Sequence, residues 1–129
     1  MITWSVQESS SVFQLSCSAD GDGDYFASLE VAVDGFADRA GGHIAGRDWI
    51  MFVDALRQLE RTRKGEASFA SAAQGEFELS VHSIDSKGHM GLSGLLGAGG
   101  SNWPNQQLRF SCKFDPSKLS ELLRSIDSS

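Results

Sequence analysis

The run Asp20-Gly21-Asp22-Gly23-Asp24 concentrates more potential chemistry than any other stretch of the chain. Alternate aspartates can present oxygens to one calcium ion, but an EF-hand loop also needs Gly at its sixth position and Glu at its twelfth. Tyr25 and Val31 stand there instead. The run therefore reads as a hairpin turn, since Gly supplies positive φ and Asp tolerates the left-handed region. His82 falls on the polar phase of a strand pattern, beside Glu78 and Ser80, where a general acid–base site would draw on Glu78 or Asp85. His43, His82 and His89 do not share a metal-ligand spacing, and no serine sits in a G-x-S-x-G motif. The glycine-rich stretch 94–102 leads into Asn102-Trp103-Pro104-Asn105 without the Lys and Ser/Thr of a phosphate-binding loop. No catalytic motif emerges, and nothing calls for a cofactor or a metal.

Charge is more informative. The formal net charge is −6, and residues 1–46 carry seven acids (Glu8, Asp20, Asp22, Asp24, Glu30, Asp34, Asp38) against one base, Arg39. That distribution argues against nucleic acid as a partner, which requires clustered Lys and Arg. It suits a basic protein, because complementary fields steer association. The expected binding face is the first hairpin, Asp20, Asp22, Asp24 and Tyr25, joined by Glu30 and Asp38. Trp103 is a candidate aromatic anchor.

The elements that must hold these residues follow from periodicity. Phe13, Leu15 and Cys17 alternate in a strand over 11–19; Leu29, Val31 and Val33 do so over 25–33; Asp34-Gly35 is a tight turn; a weaker strand pattern covers 36–45. Trp49, Phe52, Val53, Leu56 and Leu59 form one stripe of an α-helix. Asp48 is placed to cap its first turn, Arg61, Arg63 and Lys64 crowd its last, and Gly65 fits the C′ position. Strand patterns resume over 66–73, 76–84, 88–96 and 107–114. Asp115-Pro116 then opens a second helix with Leu119, Leu122, Leu123 and Ile126 on one face. No internal repeat is visible. The expected fold is a single α+β domain over residues 1–129, a curved antiparallel sheet of six or seven strands. One helix follows the third strand and one ends the chain. Whether the sheet closes into a barrel is left open.

Cys17 and Cys112 lie in strand patterns and read as free, small apolar residues. The chain lacks an apolar run of membrane-spanning length and a secretory start, so neither membrane association nor export is expected, and a cytoplasmic location is.

Three features in order resemble the WapI-type immunity family of bacterial polymorphic toxin systems. They are Val33-Asp34-Gly35-Phe36 with Gly42 before the first helix, Gly65-Glu66-Ala67-Ser68-Phe69 after it, and Leu108-Arg109-Phe110-Ser111-Cys112-Lys113-Phe114-Asp115 before the last helix. The resemblance spans roughly residues 11–127. It implies a small bacterial protein that neutralises a toxin domain, often a nuclease, and it brings no catalytic residues. The alternatives are a small-ligand domain with an apolar pocket beneath the sheet and an enzyme built on His82 and dispersed carboxylates.

Overall fold

The computed structural model describes residues 1–72, 77–97 and 107–129. Four strands come first: β1 (Ile2–Glu8), β2 (Ser11–Ala19), β3 (Tyr25–Val33) and β4 (Phe36–Ile44). Helix α1 (Gly46–Thr62) follows. The second half repeats the order with β5 (Glu66–Ala70), β6 (Phe77–Ser83), β7 (Met90–Gly97), β8 (Gln107–Phe114) and α2 (Pro116–Asp127). Trp103 lies outside the described residues.

The fold is α+β, but the strands form two four-stranded antiparallel meanders, β1-β2-β3-β4 (sheet A) and β5-β6-β7-β8 (sheet B), not one curved sheet of six or seven. The first helix accordingly follows the fourth strand, not the third. The difference traces to β1, whose alternation of Ile2, Trp4 and Val6 buries one face of a strand that the N-terminal position concealed.

The inner faces of the two sheets meet. Phe13 on β2 stacks on Phe110 of β8 with ring centres 5.6 Å apart, and Trp4 meets Phe114 edge-on at 5.5 Å. Both arrangements are favourable aromatic geometries. Helix α1 lays Trp49, Phe52, Leu56 and Leu59 on β5, where Phe52 stacks on Phe69 at 4.7 Å. Helix α2 packs on β1, burying Leu119, Leu122 and Leu123. The Trp4 indole N–H donates to the Lys118 carbonyl at 2.7 Å. Each helix thus covers the sheet of the other half.

The strand registers reveal a repeat that side-chain identity hides. Phe13-Gln14-Leu15-Ser16 on β2 corresponds to Phe77-Glu78-Leu79-Ser80 on β6. The cross-strand row Thr3, Ser16, Ser28, Gly41 answers Ser68, Ser80, Ser93, Ser111 on the outer face of sheet B. The inner row Trp4, Leu15, Leu29, Ala40 answers Phe69, Leu79, Gly94, Phe110. At constant spacing the helix positions Trp49, Phe52, Val53 and Leu56 answer Leu119, Leu122, Leu123 and Ile126. The chain is two β4α units in tandem, so the expectation of no internal repeat is corrected. What recurs is parity and burial, which few residue types are needed to satisfy.

Two details of capping differ from the sequence reading. Helix α1 has Ala45 at its N-cap with no side-chain hydrogen bond there, while Asp48 sits inside the first turn. Its C-cap is Arg63, held in the left-handed region at φ 59°, ahead of Gly65. Helix α2 begins as expected, with the Asp115 side chain accepting the Ser117 N–H at 2.9 Å and Pro116 in the first turn.

Candidate partner-binding face

The expected site residues fall into two groups. Asp20, Asp22, Asp24 and Tyr25 sit at the β2–β3 turn against the start of α1. Glu30 and Asp38 lie on sheet A, with Glu30 roughly 17 Å along β3 from Tyr25 at the usual strand rise.

The turn carboxylates serve the fold. Asp20 Oδ1 accepts the backbone N–H groups of Asp22 at 2.7 Å and Asp24 at 3.3 Å, and its Oδ2 lies 3.6 Å from His43 Nδ1. Asp24 Oδ1 accepts the Gly46 N–H at 2.8 Å and so supplies the cap that Ala45 lacks. Tyr25 is half-buried, its ring 5.1 Å from that of Trp49. Among the described residues, Asp22 alone of the three aspartates has no hydrogen bond or ion pair on its side chain.

The second group is open. Glu30 Oε1 accepts from Arg39 Nη1 at 3.3 Å, and Asp38 Oδ1 accepts the Arg39 backbone N–H at 2.8 Å. All three residues are exposed, so the ion pair adds little to stability and both carboxylates face solvent. They border a shallow groove of about 670 Å3 on the outer face of sheet A, floored by Val12, Ala32 and Ala37. Sequence reasoning missed the exposed apolar side chains of sheet A: Val12, on the groove floor, is 39% exposed, and outside the groove Phe36 is 73% and Phe26 44% exposed. A signal was available. The Asp34-Gly35 turn fixes the pairing of Val33 with Phe36, and counting from there puts Asp38 at an inward position where β8 carries half-buried Leu108. Polar Asp38 leaves that end of β4 without a core contact to make.

No family model matches this chain, and no curated protein or solved structure matches it.

A larger hollow, about 750 Å3, lies on the outer face of sheet B, lined by Ser68, Ser80, Ser93, Glu78 and Arg109. It is bigger than the sheet A groove, and exposed Met51 of α1 stands at its rim. Neither hollow lies between the sheets, where Phe13 and Phe110 stack. His82 is half-buried with its Nε2 over Gly91, at a spot where any side chain on Gly91 would collide. Its cross-strand neighbour is Glu66, while Asp85 is taken by His89 (Nδ1 to Oδ2 2.6 Å), whose hydrogen bond holds the Asp85 carboxyl below its ordinary range. Cys17 is buried and Cys112 half-buried, both are free, and burial pushes their thiols up to about 12 and about 11. Neither is primed as a nucleophile, which would need a depressed pKa. Among the described residues no group of three or more His, Cys, Asp or Glu is placed to hold a metal, and no helix is long and apolar enough to cross a membrane.

Proposed function

We propose that this protein is a binding module that neutralises a basic protein partner, in the manner of an immunity protein acting on a toxin nuclease domain, and that it does so in the cytoplasm. The observation that carries the reading is the β3–β4 surface, where Phe36 stands 73% exposed next to the Asp34-Gly35 turn and on the same side of β4 as Asp38, with Glu30 on the opposite face. An exposed aromatic flanked in the chain by Asp34 and Asp38 has the make-up of an interface hot spot with a steering field. The WapI-type likeness of the turn, helix and strand patterns points the same way. An apolar small-ligand pocket gains no support from hollows that lie on outer faces, and an enzyme gains none from His82, which has no carboxylate hydrogen bond among the described residues.

The test is association with the product of the neighbouring gene, expected to be a basic toxin domain, measured by stopped flow at several salt concentrations. The double change Glu30→Lys and Asp38→Lys should slow association by about tenfold or more at low salt and flatten its salt dependence. Unaltered rates would remove this face from the reading.

A further inference from the structure

We infer that the partner engages β4 by strand addition, an extended basic segment lying along Phe36 to Gly41 and continuing sheet A. This rests on the reading above and specifies its geometry.

The hydrogen-bonding direction of β4 follows from its turn. Asp34 (φ 47°) and Gly35 (φ 86°) form a two-residue hairpin connection, which makes Val33 and Phe36 a hydrogen-bonded pair. Antiparallel pairs alternate, so Asp38 and Ala40 also bond to β3, while Ala37, Arg39, Gly41 and His43 point both backbone groups away from it. The far end agrees, since the His43 carbonyl accepts the Ala72 N–H at 2.7 Å from outside the sheet. Ala37, Arg39 and Gly41 therefore line an outward edge, on which the Arg39 N–H is held by the Asp38 carboxylate at 2.8 Å and would have to exchange that bond for one to the incoming strand.

Each of the other three sheet edges packs against another element. Helix α1 lies on β5 and α2 on β1, and the Lys113 N–H of β8 is taken by Glu8 Oε1 of β1 at 3.0 Å. On β4 the pairing with β3 runs without a bulge and the strand carries neither Pro nor Lys, so the inward Asp38 and its neighbour Arg39 are the charges that guard this edge. The equivalent stretch of β8 turns Leu108 and Phe110 toward the core, whereas β4 has exposed Asp38 and half-exposed Ala40. The departure from the repeat falls on the open edge.

A second copy of the chain fits poorly. A two-fold pairing of β4 with itself, keeping each inner face on one side, sets one residue opposite its own equivalent. Centred on the open stretch, that residue is Asp38 or Arg39, and like charges directly opposite are destabilising. Moving the centre to Ala37 runs the pair into the turn, and moving it to Ala40 runs it into the end held by Ala72. A heterologous strand has no such conflict. The acids flanking the edge (Glu30, Asp34, Asp38) outnumber Arg39, which favours Lys or Arg on the incoming segment. Main-chain bonds would then supply affinity, and alternate side chains against Phe36 and Asp38 would supply specificity.

The test uses the isotope-labelled full chain and a ten-residue peptide of alternating Lys and Val, with a Glu/Val peptide as its counterpart. The Lys/Val peptide should bind and slow amide exchange at Ala37, Arg39 and Gly41 by about tenfold or more. Ala37→Pro removes one outward N–H at an edge position that tolerates proline, and should weaken binding by about tenfold; Ala37→Val keeps the donor and should not. Unchanged thermal unfolding of both variants establishes that they fold. If the peptide binds Ala37→Pro as well as the parent, or binds without protecting those amides, strand addition is overturned while the acidic face stands. If the Lys/Val and Glu/Val peptides behave alike, the charge argument falls and the strand-addition proposal falls with it.

Discussion

The Asp24 carboxylate caps the first N–H of α1, at Gly46, from a distance of 22 residues in sequence and 2.8 Å in space. A hairpin turn on one side of sheet A thereby fixes where the helix that covers sheet B begins. Asp24→Ala should cost about 1 kcal/mol, the usual worth of an N-cap side chain. Asp22→Ala, at the same turn but without such a bond, should change little. Urea unfolding of the two variants separates the roles, and equal losses would mean that the turn's acidity, not the cap, matters.

Gly46 makes the same junction tight. A Cβ there would run into the Gly23 carbonyl oxygen, whereas the equivalent first residue of α2 is Pro116. Gly46→Ala should destabilise by about 1–3 kcal/mol, as overpacking of a closed contact does. Calorimetric melting that leaves Gly46→Ala equal to the parent would contradict the contact.

Stability should fall at acid pH for identifiable reasons. The Ser117 backbone N–H holds the Asp115 carboxyl below its ordinary range, and the Arg57 guanidinium does the same to Asp127. A carboxyl depressed in the folded state stabilises above its unfolded pKa, near 4, and loses that contribution as pH falls through the folded value. Asp115→Ala should lower stability at pH 7 and flatten the decline between about pH 4 and pH 2. Denaturant midpoints taken across that range provide the check.

The thiols titrate in the opposite sense. With Cys17 raised to about 12 and Cys112 to about 11, the folded chain keeps both protonated where an unfolded chain ionises them. Stability should be unaffected by them below about pH 8 and decline as pH rises through the range above it. At pH 8, a thiol reagent should leave Cys17 unmodified until the protein is unfolded in denaturant. Rapid native labelling of Cys17 would contradict its burial.

Phe36 contributes to no core, so Phe36→Ser should leave stability within about 0.5 kcal/mol of the parent. It should also weaken capture of the basic partner. Parallel thermal melts and binding titrations distinguish that pattern from a structural role, in which both would drop together.

Much of the fold was legible because helices and half-buried strands announce themselves by period. The stripe from Trp49 to Leu59, the Asp115-Pro116 start of α2 and the β8 alternation all stand in the structure as the sequence implied. Division into two sheets was not legible, since periodicity states that a strand has an inner face but not which sheet shares it. The Asp24–Gly46 bond was hidden for a related reason. A cap supplied from another element leaves no local spacing to read, so Asp48 drew the role by proximity alone. At the candidate site, the acidity of β3 and β4 was plain in composition. The openness of β4 depends on what fails to cover it, and that is a property of the assembled edges.

The crossing of the helices also sets an order of events during synthesis. When Thr62 leaves the ribosome, the stripe of Trp49, Phe52, Leu56 and Leu59 is outside but its surface, Phe69 on β5, is still within the exit tunnel. Sheet A likewise waits for α2, whose Leu119, Leu122 and Leu123 follow strands β1 to β8. Neither half can close before the other exists, so the nascent chain carries unsatisfied apolar surface until α2 has emerged, and chaperone demand should last to that point.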